Sequence, residues 1–372
     1  MTKLSTQLVQ GSNGTDDAET GAVVTPLYFS TAFRHPGLGE STGFDYSRLS
    51  EPTRSVLEKQ LAAIEHGTDA VAVSSGMAAI DLVFSALTRT GDHFISSDDL
   101  YGGSFRYFDD RADKYNIPYD TWNGINVDDL LLLIKPNTKL IWIESPSNPT
   151  MKVIDIEGVA TAVHAVRPDI LIAVDNTFLT PVYQNPLDLG ADLVIHSATK
   201  YLGGHNDILG GAVIAKDPKL GNVLREQLTT TGQVMDPFDA WLLIRSLKTL
   251  KVRMEAHTAN ARFLAEQLPT LAGVGKVLYA GVGGMISFYL EDNYDVNAFL
   301  QALKVCSFAE SLGGVESLMT VPYVQTHHDM PVQQRLDLGI TPQLLRLSVG
   351  LEDKDDLWDD LQQAVAAAKK EN

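Results

Sequence analysis

Asp175 closes the apolar run in Ile172-Ala-Val-Asp-Asn-Thr-Phe178, where a carboxylate must be either solvated or held by a cation. Just past the next such run, Ile195-His-Ser-Ala-Thr-Lys-Tyr201 sets two hydroxyls, Ser197 and Thr199, beside the amine of Lys200. Ser74-Ser-Gly-Met77 stands where a strand runs into a helix. Free backbone N–H groups and the positive end of a helix dipole would there face an anion, and Gly76, followed by Met77, lets the backbone approach it closely. Pyridoxal phosphate (PLP) asks for these three things: a lysine to hold its aldehyde, a carboxylate to keep its ring nitrogen protonated, and a cradle for its phosphate. Singly each signal is ordinary. A lysine after a strand is usually solvated, an Asp there is often a helix cap, and Ser-Gly-Met alone is more often an N-cap than a phosphate site. Order and spacing give the set its meaning.

Tyr101, in Asp98-Asp-Leu-Tyr-Gly-Gly103, follows another strand, so its ring could cover a flat heteroaromatic cofactor; the plain alternative is a packed loop tyrosine. Arg346 sits among apolar residues, where a guanidinium needs an anionic partner: a structural ion pair, or a substrate α-carboxylate gripped bidentately. His327-His328 and His205-Asn-Asp207 do not read as metal ligands, because adjacent histidines point apart and no carboxylates flank them at ligand spacing; the first pair reads as loop structure. Lone Cys306 reads as a small buried apolar residue. The acidic runs Asp98-Asp99, Asp109-Asp110 and 355–360 read as solvated helix faces or starts.

These groups need a scaffold that presents strand ends. Runs over 70–73, 93–95, 140–143, 170–174 and 193–195 are continuously apolar, the mark of parallel strands covered on both faces. Helical patterns over 52–65, 77–87 and 156–166 alternate with them, which predicts a doubly wound α/β sheet with its site at the carboxyl ends of the strands. One long helix is expected from Pro237 towards Leu268, then strands over 284–290 and 344–349 and a closing amphipathic helix through Leu357, Leu361 and Val365. The division expected is an N-terminal arm over 1–50, without a clean period and lying on a neighbouring subunit, a cofactor-binding large domain over 51–240, and a small domain over 241–372. With 372 residues, 44% of them apolar, the chain can bury a sizeable core, while its net charge of -18 disfavours nucleic acid and anionic membrane surfaces as partners. The lone cysteine, the absence of any long apolar stretch and a polar start predict a cytoplasmic protein.

Eight motifs occur in order: Tyr46-Ser-Arg48, Ser75-Gly-Met77, Asp98-Asp-Leu-Tyr-Gly-Gly103, Ser145-Pro-Ser-Asn-Pro149, Val174-Asp-Asn-Thr-Phe178, Ser197-Ala-Thr-Lys-Tyr201, Ala309-Glu-Ser-Leu-Gly-Gly314 and Arg346-Leu-Ser-Val-Gly350. Through them nearly the whole chain resembles the cystathionine γ-synthase, cystathionine lyase and O-acylhomoserine sulfhydrylase group of PLP enzymes. The resemblance implies PLP fold type I (aspartate-aminotransferase-like), with a mainly parallel seven-stranded sheet in the large domain and a smaller C-terminal α+β domain. It also implies a homotetramer of two active dimers. By the same resemblance Tyr46 and Arg48 would reach the phosphate of the neighbouring subunit. Gly76, Met77, Ser197 and Thr199 would hold the phosphate within the subunit, and Tyr101 would stack on the ring. Arg346, with Asn148 and Ser311, would bind the substrate carboxylate, and Glu310 would lie near the substrate's side-chain end.

Three details look closest to bacterial cystathionine γ-synthases that also use O-acetylhomoserine: the segment 34–46, Gly203-Gly-His-Asn-Asp207, and the abrupt Leu278-Tyr-Ala-Gly-Val-Gly-Gly-Met285, where many lyases carry a longer insertion. Leu49-Ser-Glu-Pro52 departs from the commoner Gly-Asn-Pro. The expected activity is γ-replacement on an O-acylhomoserine with cysteine or sulfide, with Lys200 as proton carrier and Tyr101 assisting. A cystathionine γ- or β-lyase shares every one of these groups, and a non-catalytic PLP-binding protein would be expected to have lost one of Lys200, Asp175 or Arg346.

Overall fold

The structure, a computed structural model, describes residues 2–11 and 20–370. The larger sheet contains β1 (Asp69–Val73), β2 (His93–Ser97), β3 (Tyr119–Trp122), β4 (Thr138–Glu144), β5 (Leu171–Asp175), β6 (Leu193–Ser197) and β7 (Gly211–Ala215). Their order across the sheet is β1-β7-β6-β5-β4-β2-β3, and only β7 runs antiparallel to its neighbours. The continuous apolar runs have the expected cause. Ala173, Ile195 and Val213 pack beneath Phe84 of the helix Gly76–Leu87, while Ile172, Val174 and Val194 pack on the other face with Val159 and Val163 of the helix Ile156–Val166.

The smaller sheet contains β8 (Val274–Tyr279), β9 (Met285–Leu290), β10 (Ser307–Phe308), β11 (Leu318–Thr320) and β12 (Leu344–Ser348), in the order β10-β11-β12-β9-β8. Its core of Phe288, Phe299, Leu345 and Leu347 is closed by Leu357, Leu361 and Val365 of the helix Lys354–Ala367, and Cys306 is buried in it. The mixed architecture, a large mainly parallel sheet and a smaller second sheet, is the one expected.

Some local expectations fail: Asp99, which accepts from the hydroxyls of Ser147 and Thr150, and Asp360, which accepts from the N–H groups of Lys304, Val305 and Cys306, are buried rather than solvated. The long helix after Met235 is two helices, Pro237–Leu247 and Leu250–Gln267. At the junction the Ser246 carbonyl accepts from Thr249 N and, at 3.0 Å, from Arg253 Nη2, so its ladder bond is replaced by a tighter turn and a guanidinium cap. The arm also contains a helix, Leu4–Gln10, whose one buried residue, Leu8, is held by Gln60 Nε2 donating to its carbonyl at 2.9 Å; one apolar contact leaves no period to read. The departure at Leu49-Ser-Glu-Pro52 has a local role: Glu51 caps the helix Pro52–Ile64, accepting from Thr53 N at 2.9 Å and Arg54 N at 2.7 Å.

Candidate active site

The carboxyl ends of β4, β5 and β6 and the N-terminus of the helix Gly76–Leu87 form one side of a cavity of about 320 Å³; residues 310–312, Thr326 and Arg346 form the other. Eleven residues singled out in the sequence line it: Gly76, Met77, Tyr101, Asn148, Asp175, Ser197, Thr199, Lys200, Glu310, Ser311 and Arg346. Tyr46 and Arg48 do not. The Arg48 guanidinium donates to Thr229 O and lies 5.6 Å from the half-exposed Tyr46 ring, out on the arm.

At the helix start, Ser75 Oγ accepts from Ala78 N at 3.0 Å and Ser75 O from Ala79 N, which leaves the N–H groups of Gly76 and Met77 on the cavity wall. A Cβ on Gly76 would stand 2.8 Å from Ser197 Cβ, so only glycine lets helix and strand end close on this space. Ser197 N donates to Thr177 Oγ1 at 2.9 Å, and the Thr199 hydroxyl is tied to both polar groups of Gly210. The set is a neutral nest of N–H and O–H groups, suited to a phosphate.

Asp175 accepts from Thr177 N at 2.9 Å and is the register partner of Glu144 on the neighbouring strand. Burial pushes the Asp175 carboxyl above its ordinary range, opposed by the Thr177 hydrogen bonds and the nearby His196. Burial, then the charge of Asp175, pushes Glu144 up to about 8, although its oxygens accept from Tyr101 N at 2.7 Å and Ser104 Oγ at 2.6 Å. Among the described residues no cation pairs directly with the Asp175 carboxylate, and a protonated ring nitrogen would supply one.

Lys200 Nζ donates to Ser311 Oγ at 2.9 Å; burial, then the charge of Arg346, lowers its amine to about 8, with Glu310 opposing. Arg346 is 1% exposed. Its Nη1 donates to Asn148 Oδ1 at 2.9 Å and its Nη2 to Ser311 O at 3.1 Å and Thr320 Oγ1 at 3.2 Å, while Nε is buried with no partner among the described residues. Among the described residues no carboxylate pairs with it, so the structural ion pair considered from sequence is not there. A lowered lysine amine, an uncompensated carboxyl pair, an anion nest and an unpaired guanidinium in one cavity fit PLP together with an amino-acid carboxylate.

Three groups escaped the sequence reading. Glu144 ends an apolar run just as Asp175 does, and that shared position was the available signal. Thr177 lies inside a motif already singled out. His327, read as loop structure, is buried between the two sheets' loops, which no local pattern announces.

Residues 5–366 match the family model described as Cys/Met metabolism PLP-dependent enzyme. A cystathionine gamma-synthase/O-acetylhomoserine (thiol)-lyase of Bacillus subtilis is 49% identical over 99% of this chain and 97% of its own. A cystathionine beta-lyase of Lactococcus lactis subsp. cremoris is 44% identical over 98% of this chain and 99% of its own. Among solved structures, a cystathionine gamma-lyase of Lactobacillus plantarum complexed with L-serine superposes with a TM-score of 0.95 at 38% identity, each chain covered fully. A cystathionine gamma synthase of Xanthomonas oryzae pv. oryzae, in complex with aminoacrylate and cysteine, gives 0.94 at 39% identity over 99% of both chains. The chain therefore belongs to the Cys/Met metabolism PLP-dependent enzyme family.

Proposed function

We propose that this protein catalyses γ-replacement on an O-acylhomoserine, acetyl or succinyl, with cysteine or sulfide, giving cystathionine or homocysteine. The observation that carries the reading is the meeting of two groups at Ser311: the amine of Lys200 at its hydroxyl and the carboxylate-free guanidinium of Arg346 at its carbonyl. An α-amino acid presents its amine and carboxylate to such a pair.

PLP, when bound, supplies an electron sink for negative charge developing along the substrate carbon chain. Lys200 Nζ would hold the cofactor through its aldehyde; as a free amine it takes the Cα proton and then one from Cβ, so that the acyl group can leave Cγ, and it returns a proton once the thiol has added there. Its lowered amine suits that work, because the neutral form is within reach at neutral pH. Asp175 would hold the positive ring nitrogen, and Tyr101 would lie against the ring and assist proton transfer. Gly76, Met77, Ser197 and Thr199 bind the phosphate. Arg346, Asn148 and Ser311 grip the α-carboxylate, and Glu310 faces the departing acyl group. Tyr46 and Arg48 reach the phosphate of a neighbouring subunit in a homotetramer of two active dimers, a reading supported by the exposed arm residues Val23, Phe29 and Leu38. The protein works in the cytoplasm on small amino acids; among the described residues no helix is long and apolar enough to cross a membrane.

The synthase direction is supported by the name of the 49% identical relative and by the short link between β8 and β9. A second reading, C–S cleavage of cystathionine, is favoured by the lyase names of the 44% identical relative and of the structure at TM-score 0.95. Incubation with O-acetylhomoserine plus cysteine, and separately with cystathionine, separates them. Cystathionine formation in the first mixture is expected; fast oxo-acid release confined to the second would replace synthase by lyase.

A further inference from the structure

His327 is fully buried, and its Nε2 lies 2.9 Å from Leu100 O and 3.1 Å from Asn148 O. Both partners are carbonyl oxygens and can only accept, so Nε2 carries the hydrogen and is shared between them. Nδ1 then accepts from Thr326 Oγ1 at 2.8 Å. Burial, against the pull of the Leu100 carbonyl, lowers the imidazole to about 4, which keeps this single neutral tautomer at neutral pH.

The two carbonyls are not arbitrary. Leu100 C=O belongs to the peptide whose N–H is that of Tyr101, and that N–H donates to Glu144 at 2.7 Å, so the peptide setting the Tyr101 ring is held at both ends. Asn148 accepts from Arg346 through its side chain while its own carbonyl is held by His327. The backbone fits the same purpose: a Cβ on Gly102 would stand 1.7 Å from Thr326 O, so glycine lets the Thr326-His327 segment close on the start of the helix that follows Tyr101.

We propose that His327 is a positioning residue that couples the Tyr101 peptide to the Asn148 turn, so that the ring over the cofactor and the grip on the substrate carboxylate are set together. The proposal rests on the amino-acid site argued above. It is tested on the PLP-loaded protein with glycine, which carries only the amine and carboxylate common to all candidate substrates. The readouts are the dissociation constant from the visible absorbance change, and the visible circular dichroism of the bound cofactor.

His327→Leu is expected to weaken glycine binding roughly tenfold and to alter the dichroism with PLP still bound, because small misplacements at such sites have large effects. His327→Gln, which keeps an N–H at similar reach, is expected to stay within about threefold of the parent. Gly102→Ala is expected to behave as the leucine variant does. Parent values in a folded His327→Leu variant, or equal damage in the leucine and glutamine variants, would overturn the coupling. If His327→Leu does not fold, His327→Asn against His327→Gln decides it: only asparagine, whose amide falls short of both carbonyls, should weaken glycine, and equal affinities overturn the proposal. A parent protein whose spectrum ignores glycine would refute the amino-acid site itself, and the dichroism of the same variants would then judge the coupling alone.

Discussion

The two walls of the cavity are built in different ways. The wall on the large sheet is made of strand ends: Glu144, Asp175 and Ser197 close three adjacent parallel strands, and Lys200 follows within one turn. The opposite wall is assembled from distant segments: Arg346 on β12 is held by Asn148, Ser311 and Thr320, and His327 reaches back to Leu100. The first wall is fixed by the sheet itself and suits a cofactor that stays. The second depends on loops meeting across the two sheets and suits a substrate that comes and goes.

Breaking the first wall should have the larger effect. Lys200→Ala is expected to lower turnover by roughly 10⁴-fold and to remove the visible absorbance of the loaded protein, because both tether and proton carrier are lost. Retained turnover measured in a steady-state assay would contradict the role given to Lys200. Breaking the second wall should separate binding from cofactor chemistry. Arg346→Leu is expected to raise KM about a hundredfold through loss of charge-assisted hydrogen bonds while the cofactor's absorbance stays. If absorbance disappears with KM unchanged, the assignment of the two walls is wrong.

Smaller changes sharpen the same contrast. Gly76→Ala is expected to weaken PLP about tenfold, about 1.4 kcal/mol, by pushing the helix start off Ser197, with little change in KM for amino acids; equilibrium titration of the apoprotein measures it. The pH dependence of PLP capture joins the walls. Burial and then Arg346 lower the Lys200 amine to about 8, so the neutral, reactive form accumulates as pH rises through that value. The capture rate of the apoprotein should therefore rise through a midpoint near pH 8 and level off about a unit above it, and in Arg346→Leu the midpoint should move upward because a neighbouring positive charge is gone. A rate still climbing steeply at pH 10 in the parent would contradict a lowered amine.

Legibility in the sequence follows the same division. Five strands of the large sheet show as continuous apolar runs because helices cover both faces, and their polar ends announce Asp175, Ser197 and Lys200. β3 is less legible because an edge strand, Tyr119-Asp-Thr-Trp122, keeps one side polar. Glu144 is not legible although it ends its run as Asp175 does, since a carboxylate at a strand end gains meaning only from the neighbour the sheet supplies. Arg346 showed itself by being a cation among apolar residues. His327 could not, because its role lies in carbonyls distant in the chain. Tyr46 and Arg48 are legible as motif residues, yet this chain's own cavity does not use them.

The attachment point of the cofactor tests the division between the walls most directly. The PLP-loaded protein, reduced with sodium borohydride and digested, should carry the pyridoxyl mass on the peptide containing Lys200 and on no other lysine. Modification of a different lysine, or a reduced protein with no modified peptide, would contradict it.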